Sequence, residues 1–102
     1  MTDKTRIYIS GKITGTTDYI SRFNKAEIEM IKQGYETVNP ATMLDHLSTS
    51  TTHKEYMHIS YALLDICDGI YMMEGWRDSK GAMLEDDYAL EIEERTADYL
   101  IK

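Results

Sequence analysis

The spacing of apolar positions changes repeatedly along the chain, and each change predicts an element. Ile7, Tyr8 and Ile9 form a short apolar run that stops at Ser10-Gly11, as a buried strand does. The loop Gly11 to Thr17 leads into a helix over 17–33, where Tyr19, Phe23, Ala26 and Met30 keep the 3.6 period, with Ile20 and Ile31 at the edge of the stripe. Glu27 falls inside that arc and reads as an edge residue reaching water. Gly34 suits the position just past a helix C-terminus. Tyr35 to Val38 reads as a second strand, and Asn39-Pro40 is an N-cap and first-turn pair for a short helix through Leu47. After the polar loop Ser48 to Thr51, Thr52-x-x-Glu55 is a capping box, opening a helix whose expected buried face is Tyr56, Ile59, Leu63 and Ile66. Gly69 to Met73 is a third strand, continuously apolar as a strand covered on both faces is. A further helix follows, and Ala97 to Ile101 forms a last strand.

Strands alternating with long helices predict a parallel sheet with right-handed crossovers. The expected fold is α/β, a small Rossmann-like (flavodoxin-like) three-layer sandwich with four parallel strands in the order 2-1-3-4. Residues 1–102 read as one domain, with no repeat or linker.

Within the helix after the third strand, one position breaks the pattern. Gly81, Ala82, Glu85, Tyr88, Ala89 and Ile92 share a face, and every other member is small or apolar. A carboxylate there is costly unless it has a partner or a task. The alternative is that Glu85 sits at the edge of the stripe and reaches solvent.

Composition narrows the classes. At 102 residues and 42% apolar content, the chain is a small domain that buries only about 60–70% of its unfolded surface. Self-association as a homodimer or higher homo-oligomer is therefore expected. A formal net charge of -7 argues against binding polymeric nucleic acid, but leaves room for a small phosphorylated ligand. The lone Cys67 precludes an internal disulfide framework and fits a reducing cytoplasm. Neither a leader-like apolar stretch nor a membrane span is visible. His46, His53 and His58 lack metal-ligand spacing, so neither metal nor cofactor is expected.

Ligands of open parallel sheets lie beyond the carboxyl ends of the strands. Three segments converge there: the loop carrying Ser10, Gly11, Lys12, Thr14 and Gly15; Asn39; and Trp76 with Ser79, Lys80 and Gly81. The first loop is neither a Walker A motif nor a dinucleotide fingerprint. Its hydroxyls, its cation and the following helix start can hold a phosphate or sugar, or can simply cap the helix. Trp76 can stack on a base or close a helix edge, and Arg22 can reach a phosphate or lie on the solvated face.

Tyr8-Ile9-Ser10-Gly11-Lys12-Ile13-Thr14-Gly15 together with Ser79-Lys80-Gly81-Ala82-Met83-Leu84-Glu85 resembles the nucleoside 2-deoxyribosyltransferase superfamily. The resemblance extends over nearly the whole chain and is greatest to a small uncharacterised branch, a domain of unknown function, common in phage and prophage genomes. It implies that Glu85 is the nucleophile on the anomeric carbon, that Tyr8 contacts it, and that Ser79 suits a 5′-phosphate, as in the nucleotide N-hydrolase members. Two departures stand out. Where the superfamily usually has an aspartate that orients the sugar or protonates the leaving base, this chain has Ser60, with Asp65 more than a helical turn away. Lys12 and Thr14 also replace the usual residues of the first loop. The resemblance therefore implies a nucleoside or nucleoside monophosphate N-glycosidase or deoxyribosyltransferase working through a glycosyl-Glu85 intermediate. The alternative is a non-catalytic nucleotide binder, such as a phage factor sequestering a nucleotide-derived signal. By the same resemblance, a neighbouring subunit completes the site.

Overall fold

The computed structural model describes residues 5–13, 15–96 and 98–102. Strand β1 (Arg6–Ser10) is followed by helix α1 (Tyr19–Lys32), strand β2 (Glu36–Val38), a short helix α2 (Pro40–Met43), helix α3 (His53–Asp65) and strand β3 (Gly69–Met72). A single 3-10 turn (Trp76–Asp78), helix α4 (Lys80–Arg95) and strand β4 (Leu100–Ile101) complete the order. The four strands form one parallel sheet in the order β2-β1-β3-β4, the expected topology.

Alternation along β1 divides the interior into two layers, because successive strand side chains point to opposite faces. Ile7 and Ile9 pack with Phe23, Met30, Ala41 and Met73 beneath α1 and α2. Tyr8 faces the other way, into a core of Val38, Leu64, Cys67, Ile70, Ala89, Ile92 and Tyr99 beneath α3 and α4. The central strands are thus covered on both faces, which explains their unbroken apolar runs.

The capping signals act as expected. Gly34 adopts φ +94° after α1, and its amide donates to the Ile31 carbonyl while that of Tyr35 donates to Met30. This Schellman pair satisfies the end of the helix where only glycine is unstrained. Thr52 and Glu55 exchange both capping-box bonds, at 2.8 and 3.1 Å, which fixes where α3 begins.

Several expectations need correction. Helix α2 ends at Met43 rather than Leu47. The buried residues of α3 are Met57, Ser60 and Leu64, one step round from the expected face, and Ile66 is 57% exposed. That helix is apolar on nearly every side, so periodicity alone selects no stripe. Glu27 does not simply reach water: it accepts from Thr37 Oγ1 at 2.6 Å and from Asn39 Nδ2 at 3.3 Å, tying α1 to β2. The last strand is shorter than expected, with Ala97 outside the described residues. Among the described residues no helix is long and apolar enough to cross a membrane.

Candidate functional site

The two side chains on one face of β1, Tyr8 and Ser10, meet the unusual acid of α4. The Tyr8 hydroxyl donates to Glu85 Oε2 at 2.5 Å, and the Ser10 hydroxyl donates to Oε1 at 2.6 Å. Both hydroxyl-bearing residues are fully buried, and Glu85 is 7% exposed. Their i and i+2 spacing on the strand is what lets both serve one carboxylate. Ser60, buried on α3, adds a hydroxyl facing the same group. Burial pushes the Glu85 carboxyl above its ordinary value, opposed by the hydroxyls of Ser10, Tyr8 and Ser60. Burial and the neighbouring Glu85 push the Tyr8 hydroxyl well up, so it remains a proton-bearing donor. A buried carboxylate held by two short hydroxyl bonds, with its charge opposed by burial, is a pre-oriented oxygen nucleophile or base.

Glu85 and Tyr8 also line a cavity of about 760 Å³. Its position follows from topology. The chain leaves β1 for β2 on one side and returns to β3 on the other, so loops diverge above the carboxyl ends of β1 and β3. Gly11 and Lys12 follow β1, Pro40 and Ala41 follow β2, and Asp78 to Ala82 follow β3, all lining the cavity. Tyr19 and Tyr56 supply aromatic surface, and His53 stands on the wall contributed by α3. The Ser79 hydroxyl accepts from the Ala82 amide at 3.1 Å as the N-cap of α4, which places the start of that helix against the cavity. Gly11 has a steric reason as well: a Cβ there would lie 2.8 Å from Met73 Sδ.

Of the residues singled out from sequence, Tyr8, Gly11, Lys12, Ser79, Lys80, Gly81 and Glu85 line this cavity, and Ser10 lies behind it, bonded to Glu85. The structure places others elsewhere. Asn39 is buried as the N-cap of α2, accepting from the Ala41 amide at 3.1 Å and donating to Asn24 at 3.0 Å. Trp76 is not on the cavity wall; the Arg77 guanidinium lies over its ring, 4.6 Å from the centroid. Gly15, at φ +81°, serves the turn into α1 and does not line the cavity. Thr14 lies outside the described residues. Arg22 braces the β1–α1 loop, donating to the Lys12 carbonyl at 2.9 Å and to Thr16 at 3.3 Å.

Asp65 is not among the residues that line the cavity. It accepts from the Tyr88 hydroxyl at 2.7 Å on the exposed side of the α3–α4 contact. Sequence reasoning missed His53, Tyr56 and Asp45 as cavity residues. The capping box was the available signal for His53: it marks a helix start, and in this topology such starts lie at the ligand end of the sheet. Cys67 is a core residue whose thiol burial pushes up to about 12, so it is not a reactive thiolate. No group of three or more His, Cys, Asp or Glu among the described residues is placed to hold a metal.

The family described as "Domain of unknown function (DUF4406)" matches residues 5–96. No curated protein and no solved structure matches the chain. The match covers most of the chain, including every element that lines the cavity, and the protein belongs to that family.

Proposed function

We propose that this DUF4406 protein cleaves or exchanges the N-glycosidic bond of a nucleoside or nucleoside 5′-monophosphate, with Glu85 as the nucleophile. The observation that carries the reading is the buried Glu85 carboxylate on a cavity wall, held by Tyr8 and Ser10 at 2.5 and 2.6 Å. A carboxylate fixed in this way attacks an anomeric carbon as retaining glycosidases do, forming a glycosyl ester that water or a second base then resolves. The hydroxyls hold its orientation, and their bonds weaken as negative charge leaves the carboxylate for the ester. Tyr19 and Tyr56 offer aromatic surface for a base. Lys12, Lys80 and the N-terminus of α4 offer positive potential for a 5′-phosphate. The likeness of the Tyr8–Gly15 and Ser79–Glu85 segments to nucleoside 2-deoxyribosyltransferases supports the same reading.

A second reading, a non-catalytic nucleotide binder, draws on one observation: buried Ser60 stands where that superfamily has an acid. Incubation with a panel of ribo- and deoxyribonucleosides and their 5′-monophosphates separates the two. Glycosyl transfer predicts free base, or base exchange when a second base is supplied. Saturable binding of a panel member with no base released selects the binder.

The proposal includes self-association. Ile28 and Ile31 on α1 and Met83 and Leu90 on α4 are large apolar residues left at least 42% exposed, and covering them gives a small domain extra apolar burial. Light scattering at micromolar concentration is expected to give at least twice the chain mass. A monomer mass contradicts this part of the proposal.

A further inference from the structure

We propose that His53 is the proton donor to the leaving base, in the place of the carboxylic acid that Ser60 replaces. The inference rests on the glycosyl-transfer reading above.

Three observations carry it. The capping box at Thr52 and Glu55 sets His53 as the first residue of α3, at the cavity wall. A Cβ placed on Gly81 would lie 3.6 Å from His53 Nε2, so the imidazole packs over the one residue of the α4 face that has no side chain. Gly81 and Glu85 are one turn apart on that face, about 6 Å along the axis at 1.5 Å per residue, and a helical side chain leans toward the N-terminus of its helix. The imidazole and the carboxylate therefore share one cavity wall, one beside Gly81 and the other a turn further along α4. His53 is exposed, and among the described residues neither of its ring nitrogens has a hydrogen-bond partner.

The remaining acids on the wall are less suited. Asp45 and Asp78 are both exposed, and neither is placed beside the bare Gly81 of α4 as His53 is. Imidazole exchanges its proton between about pH 5 and 8. The charged groups sharing the cavity with His53 are Lys12 from the β1 loop, Asp45 after α2, and Asp78, Lys80 and Glu85 from the β3–α4 segment. Lys54 and Glu55 follow it on α3.

In the first step a Glu85 carboxylate oxygen bonds to the anomeric carbon. The C–N bond breaks with its electron pair passing to the base, and the imidazolium of His53 delivers a proton to that base. In the second step neutral His53 takes a proton from water or from an incoming base. The oxygen of that water, or the nitrogen of that base, bonds to the anomeric carbon. The ester C–O bond breaks, returning its electron pair to Glu85.

The test compares two leaving groups in the wild type, His53→Gln and Glu85→Gln. One substrate is the panel nucleoside or nucleotide turned over fastest. The other is the 4-nitrophenyl glycoside of the same sugar and phosphorylation state, which departs as a phenolate without needing a proton. His53→Gln is expected to lower kcat/KM, which reports the steps through departure of the leaving group, by about 10²–10⁴-fold on the first and to leave kcat/KM on the second within a few-fold. Glu85→Gln loses both. An equal loss of kcat/KM on both substrates, or full activity on the first, overturns the role of His53. A wild type that cleaves neither substrate overturns the glycosyl-transfer reading itself, and this inference with it.

Discussion

Glu85→Gln is expected to abolish turnover while raising the thermal midpoint. The amide keeps the shape of the side chain and cannot form the glycosyl ester. Its oxygen still accepts a hydroxyl bond, and the Tyr8 or Ser10 hydroxyl can rotate to accept from its nitrogen, so the polar contacts of the site remain satisfiable. What disappears is the cost of an ionised carboxylate in a site 7% exposed. The sign follows from the raised titration of Glu85, which burial causes. Below the ordinary carboxyl value of 4.5, folded and unfolded chains both hold the proton. Between 4.5 and the raised folded value the unfolded chain has released it and the folded chain has not, so the Glu85 contribution to stability falls as pH rises, then levels off. The glutamine variant lacks that fall. Its gain at neutral pH is expected to be roughly 0.5–2 kcal/mol, as for other exchanges of function for stability, with about 4–8 °C in midpoint per kcal/mol at this chain length. Paired melts from pH 4 to 8 check this. A variant less stable than wild type above pH 6 would mean that the two hydroxyl bonds outweigh the burial of charge.

The second large effect is structural. Gly69 opens β3, where a Cβ would meet the Leu100 carbonyl oxygen at 2.5 Å, Leu100 Cβ at 2.7 Å and Ile7 Cδ1 at 3.0 Å. Two of the three obstacles belong to the neighbouring strand close to its backbone, which cannot swing aside as a long side chain does. Gly69→Ala must push β4 away and strain the bonds by which Leu100 donates to Asp68 and Lys102 to Ile70, each at 2.9 Å. Overpacking of this kind costs about 1–3 kcal/mol. Because β4 is an edge strand of two residues, its loss is expected to appear first as faster amide exchange at Leu100 and Lys102, with a lowered midpoint. Wild-type exchange and an unchanged midpoint would mean that the sheet edge yields without cost.

How much of this was legible in the chain depended on how many physical signals agreed at each place. At β1, Gly34 and Thr52, apolar run, turn residue and capping box point the same way, and the structure has the strand, the Schellman end and the helix start expected there. Glu85 was legible because a lone acid on the face of Ala82, Ala89 and Ile92 conflicts with burial, and the structure puts all four inside. The face of α3 was not legible, because Tyr56, Met57, Ile59, Leu63, Leu64 and Ile66 surround the helix and only tertiary contact decides which turn inward. Asn39 and Trp76 were placed at the correct end of the sheet, but their local partners, the Ala41 amide and the Arg77 guanidinium, are invisible to strand topology. His53 was obscured for the opposite reason. It carries no metal-ligand spacing, and its role arises only where α3 meets the bare Gly81 of α4.

The central claim is covalent, and mass spectrometry tests it most directly. The protein is mixed with the panel member it turns over, quenched in acid within the first turnovers, and digested. The account predicts that the peptide carrying Glu85 gains the mass of one glycosyl residue, that this adduct disappears on longer incubation as base accumulates, and that Glu85→Gln never shows it. Base release at the wild-type rate by Glu85→Gln, or a glycosyl adduct on any other residue, would contradict it.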